Sequence, residues 1–430
     1  MSDKLFDSYT KPIPPFRRDV QMFPVEQNGK DFMYFYDQKG YATPDFAVPS
    51  SAQSIFSLFD GRNSVEDIMR FSAEEITKDQ VLDYVRFLDE NALLESPYFR
   101  THSEQVEEEY EEASVHPTNS AGISYPEDAQ ELTDFLNEAF EKLETSKAVG
   151  QAKALYAPHI DFRVGLNSYV KAFSAISELK PKRVILLGTS HYSGLYPDIY
   201  ENRPFVISEK DYHLTNGTVK SDTEGIDQIK NRLSTDTIST TNGQQGSSNA
   251  MQPEDLGITF QDRAHRIEHS IELHLLFLNH LWDHDFSIIP ILVGGLDEIF
   301  YKVDGFQGEQ VQQFSTLIQE LFADDKDTFF LISGDLAHIG QKFGDSQPAK
   351  EMLDEIRSFD ESFLDFGAKG NAKQMLELMS EKYDPYRICG YPPLYSFLNI
   401  FPGSQGEVLT YDIWDEQERH SAVSFGSILY

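Results

Sequence analysis

The sequence predicts an α/β fold, a sheet with helices on both faces, preceded by a small winged-helix-like α+β unit. Three observations lead there. The 430 residues, at about 150 per domain, make two or three folding units. Short apolar runs at 153–157, 183–187, 286–292 and 328–332 alternate with helical stretches, as buried strands under covering helices do. The composition breaks once, at SEQVEEEYEEAS, where Glu104, Glu107, Glu108, Glu109, Glu111 and Glu112 crowd together.

Residues 1–100 form the first unit. Residues 51–60 and 64–72 read as short helices, each opened by a serine suited to capping, with Asp60-Gly61 as the turn between them. A third helix over 77–91 sets Val81, Tyr84, Val85 and Leu88 on one face, and Leu93-Leu94-Glu95 starts a strand. The glutamate block, 101–115, reads as a solvated acidic linker. From 116 to 430 the α/β pattern runs from a helix over 128–143. It is interrupted at 234–253 by a segment rich in Ser, Thr, Asn, Gln and Gly that reads as a flexible surface insertion.

Charge and composition exclude several classes. Net charge is −35, which opposes binding to nucleic-acid phosphates and to anionic membrane faces, and also suits a protein kept hydrated in salt. Hydrophobic residues make up 40% of the chain, with 32 Phe and 21 Tyr, too many for a disordered polymer. The single cysteine, Cys389, rules out an internal disulfide and fits a cytoplasmic protein. The N-terminus lacks the apolar core of a signal peptide, and the apolar runs fall short of the roughly 20 residues of a membrane span.

Chemistry concentrates where strands end. ALYAPH runs into His159, VILLGTSH into His191, and FFLISGDLAH into His338. In an open α/β sheet ligands bind beyond the carboxyl ends of the strands, so parallel strands bring these imidazoles to one rim. Asp335 lies near the third histidine, and Ser190 and Ser333 stand in the same turns. Glu268 and His269 open an amphipathic helix and can reach the rim, whereas His274 falls beside its apolar stripe and reads as core. Cys389, in a strand-like end that Gly390 and two prolines turn, is either a small buried hydrophobe or a thiolate. As a thiolate with two histidines it makes a set soft enough for copper, zinc or iron. Phosphate-loop, dinucleotide, nucleophile-elbow and zinc-helix motifs are missing from the sequence.

Two resemblances add to this reading. FSLFDGRNSVEDI followed by VLDYVRFLDENALLES, within residues 40–97, looks like the PqqD-like domain, a winged-helix module that holds a peptide against a strand edge. The alternative is a unit that serves packing alone. Beyond the linker, AGISYPEDAQELTDFL, APHIDFRVG, LLGTSH, EHSIELHLLFL, SGDLAHIG, ICG and SAVSFGSILY together resemble the Memo family, also called AmmeMemoRadiSam system protein B. That family is similar in fold to class III extradiol dioxygenases of the LigB type.

The resemblance implies metal ligands at His159, His191 and Cys389, with iron or copper as the metal. It implies catalytic roles for Asp335 and for His338 as acid/base, and places Glu268, His269 and Ser190 along the cleft. It leaves open an oxidoreductase or dioxygenase-like enzyme acting on a small molecule. It equally leaves open a non-catalytic peptide-binding or metal-handling protein working beside a radical-SAM peptide-modification system. The motifs depart from the family at PHIDF, where a PHAGY-like sequence is usual, at SGDLAHIG, which lacks the aromatic before its glycine, and at the Tyr-Pro-Pro after ICG.

Overall fold

The computed structural model describes residues 4–43, 46–71, 76–235 and 253–430. It divides into two units, Met1–Glu112 and Ala113–Tyr430. The polar segment expected as an insertion at 234–253 lies almost wholly outside the described residues.

In the first unit β1 (Val20–Gln27) and β2 (Lys30–Asp37) form an antiparallel hairpin, and β3 (Ala47–Pro49) extends it. Its Asn28-Gly29 turn has positive φ at both residues, the twist a two-residue hairpin needs. Helices α1 (Gln53–Phe56), α2 (Val65–Phe71) and α3 (Lys78–Glu90) pack a core around Phe35, Phe46, Phe56 and Phe59. Thr77 and Gln80 close a capping box that starts α3. Leu94 makes a single bridge to Phe16 rather than starting a strand.

The acidic linker is a correction. Residues 97–112 are one helix, α4 (Pro97–Glu112), belonging to the first unit. Phe99, Val106 and Tyr110 fall on one helical face, with Phe99 and Tyr110 buried, while most of the glutamates take the solvent side. Glu107 is buried and takes the Tyr41 hydroxyl. A helix needs only one apolar stripe, and a dense glutamate run hides it.

The second unit begins with β4 (Val115–His116), α5 (Ala129–Lys142), β5 (Ala154–Ala157), α6 (Phe162–Ala175), β6 (Arg183–Thr189) and α7 (Pro197–Tyr200). Next come β7 (Phe205–Ile207), β8 (Asp211–Leu214), β9 (Gly217–Ser221), α8 (Thr223–Thr235), β10 (Ile258–Thr259), α9 (Glu272–Leu281) and β11 (Ser287–Val293). It ends with α10 (Glu298–Tyr301), α11 (Phe306–Phe322), β12 (Thr328–Ser333), β13 (His338–Gly340), α12 (Leu353–Ala368), α13 (Ala372–Ser380), α14 (Tyr391–Ile400), β14 (Glu407–Glu416) and β15 (Ser421–Leu429).

One mixed sheet orders these strands β13-β15-β5-β12-β6-β11-β9-β8-β4, with β14 on β15 and β7 and β10 branching from β11. Strands β5, β12, β6 and β11 are parallel neighbours, and β15 runs antiparallel to β5. Along β6, Ile185 and Leu187 enter one core while Val184 and Leu186 enter the other. Burial on both faces is why these strands read as unbroken apolar runs. Among the described residues, no helix is long and apolar enough to cross a membrane.

Candidate metal centre

Because β5, β12 and β6 are adjacent and parallel, the residues just past their carboxyl ends meet on one rim. His159 follows β5, His191 follows β6 and Asp335 follows β12, each two residues past the end of its strand. The third equivalent position thus belongs to Asp335, and His338 instead opens β13, which pairs with β15. Cys389 arrives from the turn before α14. The prolines after it open that helix in its first turn, where a missing N–H costs nothing, rather than only forcing a turn.

These side chains converge. His159, His191 and Cys389 each offer a donor atom within 4.8 Å of the others, as do Asp335, His338 and Cys389, and His191, Glu268 and His269. His159 Nε2 lies 3.4 Å from Cys389 Sγ. The three rings of His159, His191 and His269 pack within 5.3 Å of one another, centre to centre.

Hydrogen bonds fix the tautomers. His159 is 2% exposed, and its Nδ1 stands 3.0 Å from Ser333 Oγ, whose own proton goes to the Ser270 carbonyl at 2.6 Å. The hydroxyl therefore accepts, His159 Nδ1 donates, and Nε2 keeps its lone pair. His191 Nδ1 lies 2.9 Å from Glu268 Oε1, and its backbone N–H donates to Oε2 at 2.8 Å. A carboxylate can only accept, so His191 donates from Nδ1 and Nε2 is left for another partner. His338 Nδ1 faces two carbonyls, Leu336 O and Arg387 O, each at 3.0 Å, so it too carries the proton on Nδ1.

Electrostatics follow from this wiring. Burial by itself would raise the Glu268 carboxyl, but the charge and N–H groups of His191 outweigh it and hold Glu268 down to about 2. Burial likewise opposes a charge on His191, and Glu268 overcomes it, holding that imidazole well above the ordinary histidine value. Burial pushes His159 well below that value, with the neighbouring histidines adding to the effect, and takes His338 and His269 to about 4. Asp335 is pushed up to about 7 by burial, although the His159 N–H, 3.0 Å from its Oδ1, opposes this. Burial also raises the Cys389 thiol, which His191 partly offsets.

A family model for a Memo-like protein matches residues 116–429. The chain belongs to the Memo family. A MEMO1 family protein of Aquifex aeolicus (strain VF5) is 24% identical over 418 residues, 96% of this chain and 99% of its own length. The match therefore takes in most of the first unit as well as the Memo domain. A MEMO1 family protein of Thermus thermophilus is 24% identical over 371 residues, 85% of this chain and 97% of its own. One from Methanosarcina barkeri is 29% identical over 151 residues, 34% of this chain and 48% of its own.

Within the Memo domain the structure gives Glu268 a different place from the one expected. Rather than lining a wall, it is 2% exposed and takes N–H groups from His191, His269 and Ser270. His269 keeps 34% of its side chain exposed. The Ser190 hydroxyl accepts the Ser193 N–H at 3.3 Å, which engages it in the following turn. His274 is fully buried between Tyr169 and Phe173, as core. In PHIDF, Asp161 caps α6 by accepting the Arg163 N–H at 2.8 Å, so this departure from the family motif supplies a helix start.

Two supporting residues, Thr189 and Tyr156, escaped the sequence reading of the site. Thr189 Oγ1 donates to the Cys389 carbonyl at 2.8 Å, the Asp335 N–H points at Cys389 Sγ at 3.3 Å, and Tyr156 packs its hydroxyl beneath Gly390. Of the two, only Thr189 carried a signal, as a polar residue ending an apolar strand.

Proposed function

We propose that the Memo domain binds one iron or copper ion through His159, His191 and Cys389, and works as a redox or dioxygenase-like enzyme on a small molecule or peptide in the cleft. Zinc is the third metal this donor set suits. The observation that carries the reading is that both histidines donate from Nδ1 to Ser333 and Glu268, the outer bonding by which proteins present imidazole Nε2 to a metal. The ion supplies Lewis acidity and, as iron or copper, a redox couple.

The chain's own residues handle the protons. Cys389 gives up its thiol proton to serve as a ligand, and His191 gives up the one on Nε2, so loading releases protons. His338, neutral near pH 7, takes a proton at Nε2, and Asp335 exchanges one close to neutrality. The lone cysteine and acidic surface fit a cytoplasmic setting without nucleic-acid or membrane partners.

Metal analysis of anaerobically purified protein tests this. Near-stoichiometric iron or copper is expected, lost in His159→Ala, His191→Ala and Cys389→Ala. A metal-free wild type with all variants folded would remove the metalloenzyme reading. Glu268→Gln, which keeps all three ligands, is expected to weaken metal binding about 10- to 100-fold, read by chelator competition.

A second reading is a metal-handling or peptide-binding protein serving a radical-SAM system, with the first unit as a PqqD-like peptide holder. It is favoured by the 28% exposure of the His191 side chain, which opens the site to exchange. Release of the metal to a weak chelator within seconds would support it, and retention would favour the enzyme.

A further inference from the structure

The segment leading into Cys389 holds unusual backbone. Tyr383, Asp384 and Arg387 all have positive φ, between 48° and 58°, although none is glycine. Such conformations are strained for a residue that carries a Cβ and persist only where surrounding bonds enforce them. At Arg387 the enforcing bonds are visible. Its Nε donates to the His338 carbonyl at 2.8 Å, and its Nη2 reaches Asp345 Oδ2 at 2.5 Å. Asp345 is itself held by the Gly340 N–H at 2.8 Å. In the opposite direction, the His338 N–H goes to the Tyr386 carbonyl at 2.8 Å, and the His338 ring shares its Nδ1 proton between the Arg387 and Leu336 carbonyls, each at 3.0 Å.

Arg387 and His338 therefore hold each other at two points, side chain to backbone each way. Two residues on, Cys389 closes the same zipper. Its Sγ accepts the Asp335 N–H at 3.3 Å, and Gly390 donates to the Asp335 carbonyl at 2.8 Å. A guanidinium suits the His338 carbonyl and Asp345 because its Nε and Nη2 donate to the two acceptors from separate atoms of one rigid plane, whereas an ammonium would have to reach both from a single nitrogen on a flexible stem.

We propose that Arg387 is a positioning residue for the Memo site: its guanidinium holds its own backbone in the left-handed region, which keeps its carbonyl on His338 Nδ1 and leaves Nε2 as the free nitrogen beside Asp335 and Cys389. The use of that nitrogen rests on the proton-moving role given to His338 above, but the tautomer does not.

The test reads the tautomer in metal-free full-length protein by long-range nitrogen–proton correlation on ¹⁵N-histidine label, with the His338 signals assigned by their loss in His338→Gln. Wild type is expected to show one form, protonated at Nδ1. Arg387→Ala, Arg387→Lys and Arg387→Gly are all expected to lose it, showing both forms in exchange. Glycine adopts positive φ freely, so a single Nδ1–H form in Arg387→Gly would show that backbone conformation alone suffices and would overturn the role of the guanidinium. A single form in Arg387→Ala or Arg387→Lys would overturn it too. Arg387→Lys keeps charge and bulk, so it gives an answer even where the smaller variants fail to fold. Since no metal or turnover enters, a failed metal reading and a failed Arg387 role are distinguishable.

Discussion

Gly390→Ala is expected to cost about 3 kcal/mol, the upper end for overpacking a core, and to strip the site of metal. A methyl group there would run into the Tyr156 hydroxyl and sit 2.7 Å from the Asp335 carbonyl oxygen. Gly334→Ala should behave alike, because its methyl would land on the Gly390 Cα. The two glycines let the β12 loop and the Cys389 turn touch backbone to backbone, and that contact brings Sγ to the histidines. The cause is separable. Tyr156 is fully buried and its hydroxyl has no hydrogen-bond partner among the described residues, a burden of about 1–3 kcal/mol. Tyr156→Phe should therefore stabilise the protein and recover part of the loss in Gly390→Ala. In Gly334→Ala, where backbone is struck, it should return no more than the gain it gives the wild type, whereas in Gly390→Ala the recovery should exceed that gain. Urea midpoints of the wild type, the three single variants and the two double variants decide this, and a wild-type midpoint for Gly390→Ala would refute the packing of the turn.

Asp360→Asn is expected to raise stability at pH 8 and leave it almost unchanged at pH 4. Asp360 is fully buried on α12, its Oδ2 takes the Tyr411 hydroxyl at 2.9 Å, and its Oδ1 has no partner among the described residues. Burial raises this carboxyl from 3.8 to about 7, against the opposing pull of Ser424 and Tyr411. A carboxyl with a raised folded value stays protonated while the unfolded chain ionises. Its contribution is thus intact below the unfolded value, falls as pH rises from about 4 to 7, and is gone above. The span is about 4 kcal/mol at most. The amide cannot ionise, so the variant's stability profile should be flatter across that window. Parallel profiles for the two proteins would mean that the buried carboxyl does not titrate there.

Legibility differed by element. The central strands could be read because β6 and β11 are buried on both faces and so appear as unbroken apolar runs. The β1–β2 hairpin went unread although Asn28-Gly29 signals it, since Met22, Phe23 and Val25 on β1 stay exposed and blur the alternation. Helix α4 was hidden by its glutamates. At the site, His159, His191, Asp335, His338 and Cys389 could all be named, because chemically distinctive residues follow strand ends or stand in family motifs.

The sequence by itself determined which residues meet and in which family: parallel strands share a rim, so residues just past their ends converge whatever the side chains do. Only the tertiary structure decided which nitrogen each histidine presents, that Glu268 supports His191 instead of lining a wall, and that Gly334 and Gly390 make room for Cys389. A tautomer, a buried carboxylate's charge and a backbone contact depend on partners up to about 200 residues away along the chain, as Thr189 and Cys389 are. Such bonds have no local period or motif, because they are set by three-dimensional distance and burial rather than by neighbouring residues.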